Sequence, residues 1–158
     1  MVDIRGRSDI DGLLRSFYVR AFAAPLLARV FVDVAHMDLE EHLPVIGDFW
    51  EKVLFNTAEY NGRAMAVHRG LHRLEPLTAE HFTQWLELWC ATVDERHAGP
   101  VADQAKRHAA RIAVAIERNV KGEEWPGRTS GRPELPLRPS NSSGTGSGAV
   151  PEPLAPKP

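Results

Sequence analysis

The chain has a single cysteine, Cys90, in 158 residues. One thiol excludes an internal disulfide and every zinc module built on paired cysteines, and it suits a reducing compartment. An excess of one charge is missing too. The 19 Lys and Arg stand against 21 Asp and Glu, a formal net charge of -2, so nothing steers the chain toward a nucleic acid. No stretch approaches the ~18 apolar residues of a membrane span. The opening MVDIRGRSDIDG has no apolar run of the signal-peptide kind. These absences together predict a cytoplasmic protein outside the membrane. The chain also lacks a glycine-rich phosphate loop, a GxSxG elbow, an HExxH pair and a basic aromatic patch.

What is there suits one domain with a tail. Near Gly122 the composition changes to GEEWPGRTSGRPELPLRPSNSSGTGSGAVPEPLAPKP. Pro, Gly and Ser dominate, and such a segment buries too little apolar surface to offset its conformational entropy. Residues 122–158 therefore read as a disordered tail, in which Trp125 stands out as able to dock locally, and residues 1–121 as the folded part.

Within the folded part the apolar residues recur at helical spacing and nowhere alternate as in strands. Asp9 or Asp11 is placed to cap a first helix carrying Ile10, Leu13, Leu14, Phe17, Tyr18 and Ala21. Ala24-Pro25 interrupts it, and a short helix over Leu26–Phe31 follows. Asp38 caps a helix with apolar residues at 39, 43, 46, 49, 50, 53 and 54. Tyr60-Asn61-Gly62 reads as a turn, followed by a short helix through Met65, His68 and Leu71. Thr78 caps a helix from Ala79 to about Arg96 that buries Phe82, Trp85, Leu86, Trp89 and Val93. Gly99-Pro100 ends it, and a last helix carries Val101, Ala105, Ala109, Ile112, Ile116 and Val120. The expected fold class is all-α.

Three polar-tipped side chains, Tyr18, His42 and Trp85, fall on apolar stripes of three different helices. Taken singly each reads as ordinary core or stripe edge; a common pocket accounts for all three at once. His68 and His72 are four residues apart and share a helix face. They read as a zinc pair lacking a third ligand, as two surface residues, or as a platform from which one binds haem iron. Spacing does not rank His68 above His72. Cys90, beside Trp89, reads as a small core residue.

Four stretches occur in a telling order: SFY at 16–18, LEEHLPVIGDFW at 39–50, EYNGRAMAVH at 59–68 and HFTQWLELW at 81–89. In this the chain resembles the truncated haemoglobins, and most closely their group III, over roughly residues 8 to 120. The resemblance implies an abbreviated globin fold, a two-over-two helical sandwich around haem b. It places the proximal iron ligand on His68, the distal residues on Tyr18, His42 and Trp85, and pocket-lining positions on Phe17, Phe31, Ile46 and Phe49. It implies a five-coordinate iron that binds O₂, CO or NO. Redox chemistry on the bound ligand, of the NO dioxygenase or peroxidase kind, would need a separate reductase, since no flavin or nicotinamide motif is present. Arg63, Arg69 and Arg73 lie near the proximal helix as candidates for the haem propionates. The competing expectation is a haem-free helical adaptor, docking through the 81–89 aromatic face or the tail segments PELP and PEPLAP.

Overall fold

A computed structural model of the chain describes residues 1–60 and 62–122. The tail beyond Gly122, with Trp125 and both proline motifs, lies outside them, as does Asn61. The elements are α1 (Arg7–Ala23), α2 (Pro25–Ala28) running straight into a π-helical turn (Arg29–Val34), α3 (Leu39–Phe55), α4 (Ala64–Leu74), α5 (Ala79–Arg96) and α6 (Pro100–Val120). Among the described residues there is no strand, only an isolated bridge between Val2 and His97. The all-α expectation holds.

Most boundaries follow local chemistry. The Asp38 carboxylate accepts from the backbone N–H of Glu40 at 2.9 Å and of Glu41 at 3.2 Å, satisfying donors that the start of α3 leaves open. Pro25 stands at the first position of α2, where its missing N–H costs nothing. The cap of α6 comes from far away in sequence: Asp3 accepts from Val101 N–H at 2.9 Å and Ala102 N–H at 2.8 Å.

Two boundaries differ from the sequence reading. Helix α1 starts at Arg7, before either expected cap, with Gly6 at its N-cap and no side-chain cap there. Asp9 instead accepts from Arg5 N–H at 2.8 Å. Arg7 is fixed by distant partners, its guanidinium donating to Asp11 at 2.8 Å, Asp48 at 2.6 Å, Glu51 at 3.1 Å and the Pro44 carbonyl at 3.0 Å. This ties α1 to α3 over Gly47, where a Cβ would stand 2.6 Å from the Arg7 guanidinium. The short helix expected over Leu26–Phe31 is one turn of α2 followed by the wider π turn, a form often found at functional sites.

The core lies where α1, α5 and α6 meet. Ile10, Leu13, Leu14 and Phe17 of α1 pack with Trp89 and Val93 of α5, and Ala102, Ala105 and Ala109 let α6 approach closely. Trp89 lies at the centre, stacked on Trp50 of α3 at 4.3 Å between ring centroids, and its indole N–H donates to the Ala105 carbonyl at 3.4 Å. Helix α4 differs from all of these: none of its residues is buried.

Candidate functional site

A cavity of about 180 Å³, open to solvent, lies between α4 and the rest of the domain. Tyr18 of α1 and Leu27, Val30 and Phe31 of α2 and the π turn form one wall, and Phe49 and Trp50 of α3 extend it. Ala64, His68 and Leu71 of α4 face them, His81, Phe82 and Trp85 come from α5, and Ile112, Ala113 and Ile116 of α6 close the floor. On α4 the lining residues are spaced four and three apart, one face of a helix. That face meets the cavity instead of the core, which is why a strongly amphipathic helix can have no buried residue.

Of the eight expected site residues, five line the cavity: Tyr18, Phe31, Phe49, His68 and Trp85. Phe17 does not; it is fully buried behind the wall, edge-on to Tyr18 at 5.0 Å, Trp85 at 5.8 Å and Trp89 at 5.4 Å. Ile46 is half-buried and packs against the core. His42 is exposed, with its Nδ1 2.8 Å from the carbonyl of Asp38 on its own helix. It shares a row of α3 with Ile46 and Phe49, but two turns before Phe49, so only the far end of that row reaches the cavity. Arg63, Arg69 and Arg73 are exposed, and Arg69 donates to Asn119 at 3.1 Å, joining α4 to α6. Among the described residues no group of three His, Cys, Asp or Glu could hold a bare metal ion, and His68 and His72 do not form one.

Tyr60 and His81 also line the cavity, although the sequence reading gave them no role there. Tyr60 lies edge-on to Phe49 at 5.1 Å, over Gly62, where any Cβ would meet its hydroxyl at 2.1 Å. Its sequence signal was the Tyr-x-Gly turn. The signal at His81 was its place three residues after Thr78, where a capping box commonly has Glu or Gln.

Backbone partners sort the histidines by tautomer. A ring nitrogen beside a carbonyl oxygen must carry its proton, and one that accepts from an N–H must lack it. His68 Nδ1 is 2.6 Å from the Ala64 carbonyl, so its proton sits there and the Nε2 lone pair is free. His72 Nδ1 accepts from Leu77 N–H at 3.0 Å, and His81 Nδ1 accepts from Thr78 N–H at 3.1 Å; in both rings Nε2 carries the proton. Of the two imidazoles lining the cavity, only that of His68 offers it a lone pair. Burial lowers the pKa of His68 from 6.5, against the opposing pull of the Ala64 carbonyl, and so favours the neutral ring that a metal needs.

On the opposite wall, Tyr18 is buried, and burial raises its pKa well above the ordinary phenol value, keeping the hydroxyl protonated. Neither that hydroxyl nor the Trp85 indole N–H has a hydrogen-bond partner among the described residues. The cavity lining thus includes one imidazole with a free lone pair on α4, a hydroxyl on α1, an indole on α5 and apolar surface between. This donor set fits a haem, which needs one strong nitrogen ligand in a large apolar slot.

Among solved structures, the fold is similar to the crystal structure of the group III truncated hemoglobin from Campylobacter jejuni, with a TM-score of 0.67. The fold is that of a truncated globin. The match covers 76% of this chain and 95% of the other at 23% identity. No family model and no curated protein matches the chain. No described helix is long and apolar enough to cross a membrane.

Proposed function

We propose that this truncated-globin domain binds a haem of the b type in the α4 cavity, with His68 as the axial ligand, and takes up a diatomic molecule on the opposite side. The observation that carries this is the His68 tautomer. Its Nδ1 is held by the Ala64 carbonyl, and its Nε2 lone pair is the one imidazole lone pair offered to the cavity. The carbonyl also fixes ring orientation, the usual arrangement for a metal-bound histidine. The bare apolar face of α4 supports the reading, since a flat apolar cofactor would cover it.

A haem held there would supply an iron able to take up O₂, CO or NO. The protein's part is to hold the cofactor through His68, exclude water with the aromatic wall, and present donors. Toward a ligand that gains negative charge, the Tyr18 hydroxyl and the Trp85 N–H would act as donors, neither having another partner among the described residues. Each such bond slows release by roughly one to two decades. Two donors favour retention over quick release, which suits chemistry on the held ligand more than transport. Such chemistry draws its electrons from a separate reductase. His42, exposed as it stands, is assigned no contact with the ligand.

One spectrum tests the reading. Protein titrated with haemin gives a strong Soret band that, after reduction, shifts on adding CO, and His68→Ala loses stable incorporation while His72→Ala keeps it. A protein that refuses haemin, or that loses it on His72→Ala and not on His68→Ala, overturns the assignment.

A further inference from the structure

The second cavity imidazole, His81, is more than nine-tenths buried, yet its ring spans two environments. Nδ1 closes the capping box of α5, accepting from the Thr78 N–H at 3.1 Å and lying 2.9 Å from the Thr78 hydroxyl. Glu or Gln usually fills this N3 position. An imidazole performs the same service and leaves a second polar atom, Nε2–H, on the other side of the ring. That N–H has no hydrogen-bond partner among the described residues. The nearby carboxylate of Glu75 is already taken, by the Arg29 Nε and Nη2, each at 3.0 Å. Its chain neighbours Leu77 and Phe82 also line the cavity and are apolar. That N–H is not one of the enclosed unpaired polar atoms; it reaches the open cavity, where a ligand that displaces water has to supply an acceptor in its place.

We propose that His81 anchors a carboxylate of the bound macrocycle, donating from Nε2–H while its Nδ1 is locked by the α5 cap. This rests on the haem reading above. A haem rim is methyl and vinyl except for its two propionates, which are its only strong acceptors. His81 cannot compete with His68 for the iron without breaking its bond to Thr78 N–H, because ligation needs Nε2 deprotonated and would move the proton to Nδ1. The two histidines of the cavity are therefore assigned different tasks by the backbone groups that hold them.

The test compares release of haemin with release of haemin dimethyl ester, followed by transfer to an excess of a haem-scavenging apoglobin. Wild-type protein is expected to release the diester about tenfold faster than haemin, the loss of one charge-assisted hydrogen bond. His81→Gln, which can both accept from Thr78 and donate to the cavity, keeps most of that ratio. His81→Glu retains the cap acceptor but has no donor, and brings the ratio to one or below with unchanged helix content. An ester penalty of the same size in wild type and His81→Glu overturns the proposal. A wild-type protein that takes up neither haemin nor its ester overturns the haem reading and this proposal with it, so the two failures are distinct.

Discussion

Helices α5 and α4 carry the two histidines of the cavity, and they are held in opposite ways. Helix α5 has Trp89 and Val93 almost wholly inside the core, stacked on Trp50 and packed on Phe17. Helix α4 has no buried residue, and its half-buried face, Ala64, His68 and Leu71, lines the open cavity instead of entering the core. An 11-residue helix is marginal alone in water and depends on covering its apolar face. The contrast teaches that α5 is held by the core, whereas α4 keeps an open apolar face that the proposed cofactor would cover. The fold therefore places its rigid donor, Trp85, on the helix held by the core and its proposed iron ligand on the one with the open face.

The contrast is sharpest in stability. Trp89→Ala should cost roughly 3–5 kcal/mol in haem-free protein, from lost burial and the cavity left behind. Leu71→Ala should cost under about 1 kcal/mol there, yet speed haemin loss once the cofactor is present. Denaturant melts with and without haemin measure both, and equal costs in the haem-free protein would erase the distinction between the helices. A smaller effect is expected at the ligand: Tyr18→Phe should speed O₂ release by about tenfold with haem content unchanged, in stopped flow. Trp85→Phe should act in the same direction, and the double variant should fall short of the product, because the two donors would share one acceptor. Unchanged release in Tyr18→Phe would remove the hydroxyl from the site.

The smallest effect is in pH. The His68 pKa is lower folded than unfolded, so below the unfolded value of 6.5 the unfolded chain binds the extra proton and folding opposes it. Stability is then complete above about 6.5 and declines as pH falls through the folded value, and haem ligation, which also requires the neutral ring, steepens the decline. His68→Gln should flatten this part of the profile in haem-free protein. A profile identical to wild type would show that His68 is no more buried than its helix.

Much of the fold was legible because helix signals are local. Asp38 and Thr78 mark N-termini, Pro25 and Gly99-Pro100 mark breaks, and apolar spacing gives each buried face. The start of α1 was not legible, since Arg7 is fixed by Asp48 and Glu51, more than forty residues away. Neither was the π turn, whose extra residue leaves no mark on an apolar period. In the site, Tyr18, Phe31, Phe49, His68 and Trp85 were named from the resemblance and do meet around one cavity. Phe17 and Ile46 were assigned to the lining and stand behind it, because an apolar stripe is wider than the strip of it that faces a pocket. His42 was read on the correct row of α3 but too far along it.

The sequence by itself determined an all-helical chain, the caps and breaks, and the pairing of aromatic and polar-tipped residues on inward faces. These depend on contacts within a few residues, where covalent spacing decides geometry. Spacing left His68, His72 and His81 alike, a 14-residue stretch with the same chemistry in which the resemblance alone selected His68, and only the tertiary structure gave each ring its partners. Their tautomers depend on whether a carbonyl oxygen or an amide N–H lies beside Nδ1, and their tasks on which helix face meets the cavity. The first is local, since each partner lies three to five residues away, but needs the folded turn to be seen; the second is set by how α4 and α5 pack around a space that no local pattern encodes.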